Sequence, residues 1–285
     1  MDSLPLPPTE LRFMREDDDR LIRTGRELAR LLQQYGMKPD STVLDVGSGY
    51  GRLALGLLTE GLHRGRYIGF DVLPKHVGWC REHLTALNPR LEFHHIDARN
   101  SRYNPTGSID PDRLRFPTPI GSIDVAAAFS VFTHLYRTNV EHYLAELRRV
   151  LRPGGVAITT WLLWSDERLP ALVDDGCAYP MRFQIDRDTR TSDEADPLRA
   201  IGFRLEQVLT WVMEADLRIR LLAYGSWDGV TASESFQDLM VMERPDGPLR
   251  RARWLAGRAK RRVQKTFRRG APDRALRPET AINTV

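Results

Sequence analysis

The feature that most constrains this chain is the alternation, from Thr42 to about Leu163, of short apolar runs with helical stretches. Thr42-Val-Leu-Asp-Val, Tyr67-Ile-Gly-Phe-Asp, Leu91-Glu-Phe-His-His-Ile, Ile123-Asp-Val-Ala-Ala-Ala-Phe and Val156-Ala-Ile-Thr-Thr-Trp-Leu read as strands. Each is short and apolar, and most are bounded by Gly, Pro, Asp or Ser. Helices are expected between them at 51–62, 75–87 and 138–151. In the third, Val140, Tyr143, Leu144, Leu147, Val150 and Leu151 fall at helical spacing, with Arg148, Arg149 and Arg152 near the end where cations suit the dipole. Pro153-Gly154-Gly155 is expected to close it. Such alternation predicts an α/β fold, a doubly wound parallel sheet with helices on both faces, which places ligands at the carboxyl ends of its strands.

Val43-Leu-Asp-Val-Gly-Ser-Gly-Tyr-Gly-Arg-Leu-Ala is the most informative of those strand ends. Glycines at 47, 49 and 51 let the backbone take conformations closed to side chains and let a ligand approach the main chain. A dinucleotide fingerprint needs its third glycine at position 52, which is Arg52. Neither a Gly-x-Ser-x-Gly elbow nor the Gly-Lys-Ser of a P-loop is present in this turn. Its companions carry the rest: Asp71 closes the second strand where an acid meets ribose hydroxyls, and Asp97 closes the third. Phe129-Ser-Val-Phe-Thr-His-Leu ends the fourth and faces the same cleft, so four strand ends converge on an adenosine-shaped ligand.

Through Leu44-Asp-Val-Gly-Ser-Gly-Tyr-Gly, Gly69-Phe-Asp, His95-Ile-Asp-Ala, Phe129-Ser-Val-Phe-Thr-His and Arg149-Val-Leu-Arg-Pro-Gly-Gly, residues 41–163 resemble the core of the class I S-adenosylmethionine-dependent methyltransferases. The resemblance implies a Rossmann-like sheet of seven strands, mostly parallel with one antiparallel strand, and the runs at 219–224 and 236–242 are candidates for its last pair. It implies S-adenosyl-L-methionine as cofactor, with Asp45 and the glycines at its methionine end, Asp71 at the ribose, and Asp97 with Ala98 at the adenine. The full expected cofactor set is Asp45, Gly47, Ser48, Gly49, Gly51, Asp71, Val72, Asp97, Ala98 and Ser130, with Arg12, Phe13 and Met14 as a segment that closes over it.

Methyl transfer from a sulfonium is an in-line displacement on an activated carbon, so positioning does most of the work. A hydroxyl acceptor gains from a base, and His134, one turn into the cleft-facing segment, is the catalytic candidate; its alternative is simply to start a helix. Tyr50, Tyr103 and Trp161 offer rings, more readily for packing than for the sulfonium. No His, Asp or Glu spacing suggests a metal. The acceptor pocket is expected from two insertions, the Pro- and Gly-rich 101–122 and the polar 165–200.

Residues 244–277 hold 13 Arg and Lys against two Asp, so the net charge of +4 leaves the rest of the chain at −7. Within 248–269, Ala252, Leu255, Ala256, Ala259, Val263 and Phe267 recur at helical spacing among basic residues, a basic amphipathic pattern. It fits peripheral contact with an anionic membrane, or a solvated helix; a narrow apolar stripe without an aromatic platform makes nucleic acid the weakest reading. Two cysteines build no disulfide framework, and the opening Met1-Asp-Ser-Leu-Pro lacks the basic-then-apolar order of a secretory leader, so a cytoplasmic location, peripheral at the membrane, is expected. The layout read from the sequence is an N-terminal helical segment, 1–40, a methyltransferase domain, 41–245, and a basic tail, 246–285. The expected function is methyl transfer, at oxygen, to a small-molecule, glycan or lipid-linked acceptor. The alternatives are an RNA or protein methyltransferase using the tail, and a non-catalytic cofactor-binding partner protein.

Overall fold

Asp17 starts the first long helix, α1 (Asp18–Gln34), by accepting the Arg20 backbone N–H at 2.8 Å, one of the donors a helix start leaves unpaired. The computed structural model in which this is seen describes residues 4–247, apart from the Met14 side chain. The basic stretch 248–269 and most of the expected tail 246–285 therefore lie outside the described residues. Leu21, Leu28, Ala29 and Leu32 form the buried face of α1, which crosses α2 (Arg52–Glu60) where Gly25 meets Gly56. A Cβ on Gly56 would stand 1.8 Å from the Gly25 carbonyl oxygen, so only glycine allows the two backbones to approach this closely.

The strands are β1 (Val43–Val46), β2 (Tyr67–Asp71), β3 (Leu91–His95), β4 (Ile123–Ala128), β5 (Leu151–Trp161), β6 (Leu163–Trp164), β7 (Phe183–Gln184), β8 (Thr189–Thr191), β9 (Ile201–Arg204), β10 (Arg218–Ala223) and β11 (Asp238–Glu243). Seven make the main sheet in the order β10-β11-β5-β4-β1-β2-β3. Only β11 runs against the direction of the other six strands, as the resemblance implied. In register, Asp45 stands beside Gly69 on one side and Ala127 on the other. The strand order reverses direction at β1, and there the helices diverge to opposite faces and leave a crevice.

Further helices are α3 (Pro74–Trp79), continued by a wider π-type turn over Cys80–Thr85, α4 (Arg137–Val150), α5 (Leu169–Leu172) and α6 (Leu205–Glu214). One apolar core gathers Leu21, Leu28, Leu53, Val77 and Leu84 against Val43 and Tyr67, and another gathers Val140, Leu144, Val208 and Trp211 against Leu44 and Ile68. Alternate residues of β1 thus serve opposite faces.

Two segments differ from the sequence expectation. Pro153-Gly154-Gly155 does not close α4; β5 starts at Leu151, directly after Val150. Its pairing with β4 jumps from Ile123↔Leu151 to Val125↔Val156, so the prolyl-glycyl stretch bulges out of the ladder, with Gly154 at φ +74°. The 165–200 stretch, polar and without a legible period, carries two strands, β7 and β8, of a second sheet ordered β6-β9-β8-β7. Beneath it lies an apolar cluster of Leu162, Trp164, Leu172, Met181, Trp227 and Phe236 drawn from distant parts of the chain. No helix of the described residues is long and apolar enough to cross a membrane.

Candidate functional site

A strand that must turn at once into a helix needs residues free to take positive φ, and Gly47, Gly49 and Gly51 do so at +70°, +52° and +80°. Gly47 and Ser48 both donate their N–H to the Phe70 carbonyl, at 2.9 and 3.0 Å, while the Gly49 N–H reaches Asp71 Oδ2 at 2.7 Å. The turn is thus clipped to the end of β2. A cavity opens above it, lined by Asp45, Gly47, Ser48, Gly49, Asp71, Val72, Ser130 and His134 from the expected set. Phe13, Tyr50, Arg52, Asn100, Tyr103 and Tyr143 add to its polar and aromatic lining.

Asp45 is 4% exposed and accepts the Tyr67 hydroxyl at 2.5 Å. Burial pushes its pKa up to about 7; the Tyr67 hydrogen bond and Arg52 oppose the rise and Asp71 adds to it. Asp71 is also raised by burial, although the Gly49 and Leu73 N–H groups donate to it. The cavity therefore holds two carboxylates short of positive charge. Ser48 Oγ is buried with no partner among the described residues. Sparse cation, a strained glycine cradle and an unpaired hydroxyl fit a ligand with an ammonium group, a sulfonium and ribose hydroxyls. Asp45, the glycines and Ser48 would hold the amino-acid end and Asp71 the ribose, and S-adenosylmethionine would supply an activated methyl group there.

Three residues of the expected set are not on the cavity lining. Gly51 backs the turn, its missing Cβ facing Leu84 Cδ1 at 2.7 Å and Cys80 Sγ at 3.1 Å. The Asp97 carboxylate is occupied by Asn104 Nδ2 at 2.9 Å, Ser108 N at 3.0 Å and Ser108 Oγ at 2.7 Å. These bonds hold its pKa down at about 2, and they fasten the 97–108 loop in place of facing the cavity. Ala98 is buried beside it, and a Cβ on Gly107 would stand 2.6 Å from the Ala98 carbonyl carbon. What the loop brings to the cavity is Asn100 and Tyr103.

His134 sits at the end of a short 3-10 turn (Phe132–His134) and is 7% exposed. Its Nδ1 lies 2.7 Å from the Leu198 carbonyl, which accepts only, so the neutral ring donates through Nδ1 and carries its lone pair on Nε2. Burial pushes its pKa down to about 4, against the backbone hydrogen bond and with help from Arg102. Tyr103 packs edge-on to the ring at 5.4 Å, and Asn100 Nδ2 donates to the His134 carbonyl at 3.1 Å. No residue of 165–200 lines this cavity; the insertion meets it through Leu198, whose carbonyl holds the His134 ring. Beside His134, Ser130 stands at φ +55°, a rare conformation for serine, with its N–H donated to Thr160 Oγ1 at 2.7 Å.

Phe13, from the N-terminal segment, stacks on His76 at 5.2 Å and tilts against Tyr50 at 5.4 Å. Its Cε2 comes within 3.1 Å of where a Gly49 Cβ would be. Arg12 is turned away into the segment itself, donating to the carbonyls of Pro7 and Glu16. Trp161 lies fully buried, stacked on Phe132 at 4.1 Å, away from the cavity. Sequence reasoning assigned no task to Arg52; its signal was a cation in the first helical turn after the last glycine. Among the described residues no group of three or more His, Cys, Asp or Glu is placed to hold a metal.

Comparison with known proteins agrees with this geometry. Residues 43–155 match the family model described as a methyltransferase domain. A sterol 24-C-methyltransferase of Gibberella zeae is 25% identical over 202 residues, covering 67% of this chain and 46% of that protein. A tRNA U34 carboxymethyltransferase of Cellvibrio japonicus is 26% identical over 180 residues, covering 63% of this chain and 50% of the other. The chain thus spans about half the length of the curated relatives it matches. A geranyl diphosphate C-methyltransferase of Streptomyces coelicolor A3(2), solved with S-adenosyl-L-homocysteine, shares the fold at a TM-score of 0.51 and 13% identity, over 78% of this chain and 81% of its own. The glycine turn, the sheet order and the matched stretch agree: residues 43–155 of this chain carry a methyltransferase domain.

Proposed function

We propose that the chain transfers the methyl group of S-adenosylmethionine to an uncharged small-molecule, glycan or lipid-linked acceptor, at an oxygen atom. The observation that supports this most is how charge is distributed around the cavity. Its charged groups, Asp45, Arg52 and Asp71, come from β1, the start of α2 and the end of β2, whereas the segments after β3 and β4 contribute the neutral polar groups Asn100, Tyr103, Ser130 and His134. A charged acceptor would meet no counter-charge on that second side, and leaving it unpaired would be costly.

In this reading Asn100 and Tyr103 orient the acceptor. His134 Nε2 accepts the hydrogen bond of the reacting hydroxyl and takes its proton as the oxygen attacks. A ring with a pKa of about 4 is a weak base, which suits a readily ionised hydroxyl such as a phenol or enol. Most of the rate then comes from alignment. The basic pattern of residues 248–269 supports an accessory contact with an anionic lipid surface, tested by sedimentation with phosphatidylserine vesicles.

The decisive experiment incubates the protein and a soluble cell extract with S-adenosylmethionine bearing a deuterated methyl group. A labelled small molecule, glycan or lipid is the expected product. Label appearing only in RNA or protein would overturn the acceptor class. Intact cofactor binding with no labelled product of any kind would leave a non-catalytic binding protein.

A further inference from the structure

Arg52 is the one Lys or Arg among the described residues that line the cavity, and the reaction outlined above gives it no task. Its side chain is 14% exposed and its fork is only partly used. Nε and Nη2 donate to the Tyr50 hydroxyl at 3.2 and 2.6 Å, and Nη2 stands 3.1 Å from Glu16 Oε1. Nη1 has no hydrogen bond to the described residues and is not buried.

The fork is also held firmly. The Tyr50 hydroxyl donates in turn to Glu16, whose side chain is 5% exposed, and the Arg12 guanidinium holds the Glu16 carbonyl at 3.1 Å. The N-terminal segment, the glycine turn and the first turn of α2 therefore meet at one guanidinium. Its field reaches Asp45, where it opposes the rise in that group's pKa. An amino-acid head group has an ammonium and a carboxylate a few ångströms apart, and it needs an anion and a cation in matching places. A planar guanidinium with free N–H groups is the side chain best shaped for a carboxylate.

We propose that Arg52 binds the carboxylate of the cofactor's amino-acid head group, with Tyr50 and Glu16 acting as positioning residues that fix its fork. The proposal rests on the methyl-donor reading of the cavity, and two ligands separate the two ideas. S-Adenosylhomocysteine carries the amino-acid head; 5′-methylthioadenosine keeps adenine, ribose and thioether and lacks it.

Calorimetric titration of the full chain and of Arg52→Met with both ligands tests the assignment. The variant is expected to lose about 10- to 100-fold in affinity for S-adenosylhomocysteine, the range for a charge-assisted hydrogen bond, and to keep methylthioadenosine affinity within about twofold. Arg52→Lys is expected to fall between, since an ammonium keeps the charge without the fork. Equal losses for both ligands would reduce Arg52 to a structural partner of Glu16 and overturn the proposal. Undiminished S-adenosylhomocysteine affinity would overturn it as well. If the unaltered protein binds neither ligand, the methyl-donor reading itself falls. Retained methylthioadenosine binding shows at the same time that the variant is folded.

Discussion

Nδ1 of His134 lies 2.7 Å from the carbonyl oxygen of Leu198, so a residue from the segment after β4 takes its tautomer from an insertion distant in sequence. The bond fixes the lone pair on Nε2, and burial keeps the ring neutral with a pKa of about 4. In the unfolded chain the same ring titrates near 6.5. Between those values the unfolded state binds the proton and the folded state does not. His134 therefore contributes stability at neutral pH that is lost as pH falls from about 6.5 toward 4. NMR of ring-labelled histidine should show one imidazole with no titration between pH 5.5 and 8, and His134→Gln should remove that signal. A His134 resonance with a midpoint near 6.5 would exclude the neutral buried ring.

The same residue gives the kinetic expectation. With His134 deprotonated throughout the physiological range, kcat should show no acid limb near 6.5 once an acceptor is in hand. Replacing it with Ala should lower kcat by about 10²- to 10⁴-fold if it takes the proton. A loss below about threefold would mean that alignment alone carries the reaction.

Much of this was legible before any coordinates. The positions of β1 to β4, and the placing of Asp45, Gly47, Ser48, Gly49 and Asp71 around one cavity, follow from short apolar runs alternating with helical stretches and from glycines at strand ends. Asp97 shows where such reading stops. An acid closing the third strand suggests a ligand contact, but whether its carboxylate is free depends on Asn104 and Ser108, which fold back on it. The 165–200 stretch was illegible for a related reason. Its two strands are two and three residues long, too short for a period, and the cluster beside them is made by Trp164, Met181, Trp227 and Phe236 meeting from distant parts of the chain. Pro153-Gly154-Gly155 misled because a bulge and a helix stop use the same residues.

Asp71 and Asp97 should separate cleanly on substitution. Asp71 touches the glycine turn and lines the cavity, so Asp71→Ala should weaken S-adenosylhomocysteine binding by at least about tenfold by calorimetry. Asp97→Ala frees Asn104 and Ser108 and loosens the loop that carries Asn100 and Tyr103. Limited proteolysis should then cut within residues 99–115 sooner than in the unaltered protein, with a smaller loss of cofactor affinity. Equal affinity losses would place Asp97 in direct contact with the ligand.

The crossing of α1 and α2 makes a stability prediction independent of any ligand. An alanine methyl at position 56 would sit 1.8 Å from the Gly25 carbonyl oxygen, which is backbone and cannot rotate aside. The helices must separate, opening the contacts of Leu21, Leu28 and Leu53. Gly56→Ala should cost at least about 2 kcal/mol and lower Tm by roughly 4–8 °C, despite the better helix propensity of alanine. Gly61→Ala is the control: nothing lies within 4 Å of its Cβ, so only the strain of its φ of +62° is felt and the loss should be smaller.

Cofactor affinity should itself depend on pH through Asp45. Its carboxyl, raised to about 7, is largely protonated below neutrality in the ligand-free protein. The ammonium and sulfonium of the bound methyl donor favour the ionised form, so binding releases a proton at low pH and the cost of that release falls as pH rises. Affinity for S-adenosylmethionine should therefore increase from pH 5.5 to about 7 and level off above it. Calorimetry in buffers of different ionisation enthalpy reads the proton count directly. Asp45→Asn should bind more weakly and flatten the profile. Tyr67→Phe removes a hydrogen bond that stabilises the carboxylate at 2.5 Å, so it should move the midpoint upward while leaving the plateau at high pH little changed. A profile that keeps its midpoint in both variants would assign the titration to Asp71, the other buried carboxylate of the cavity.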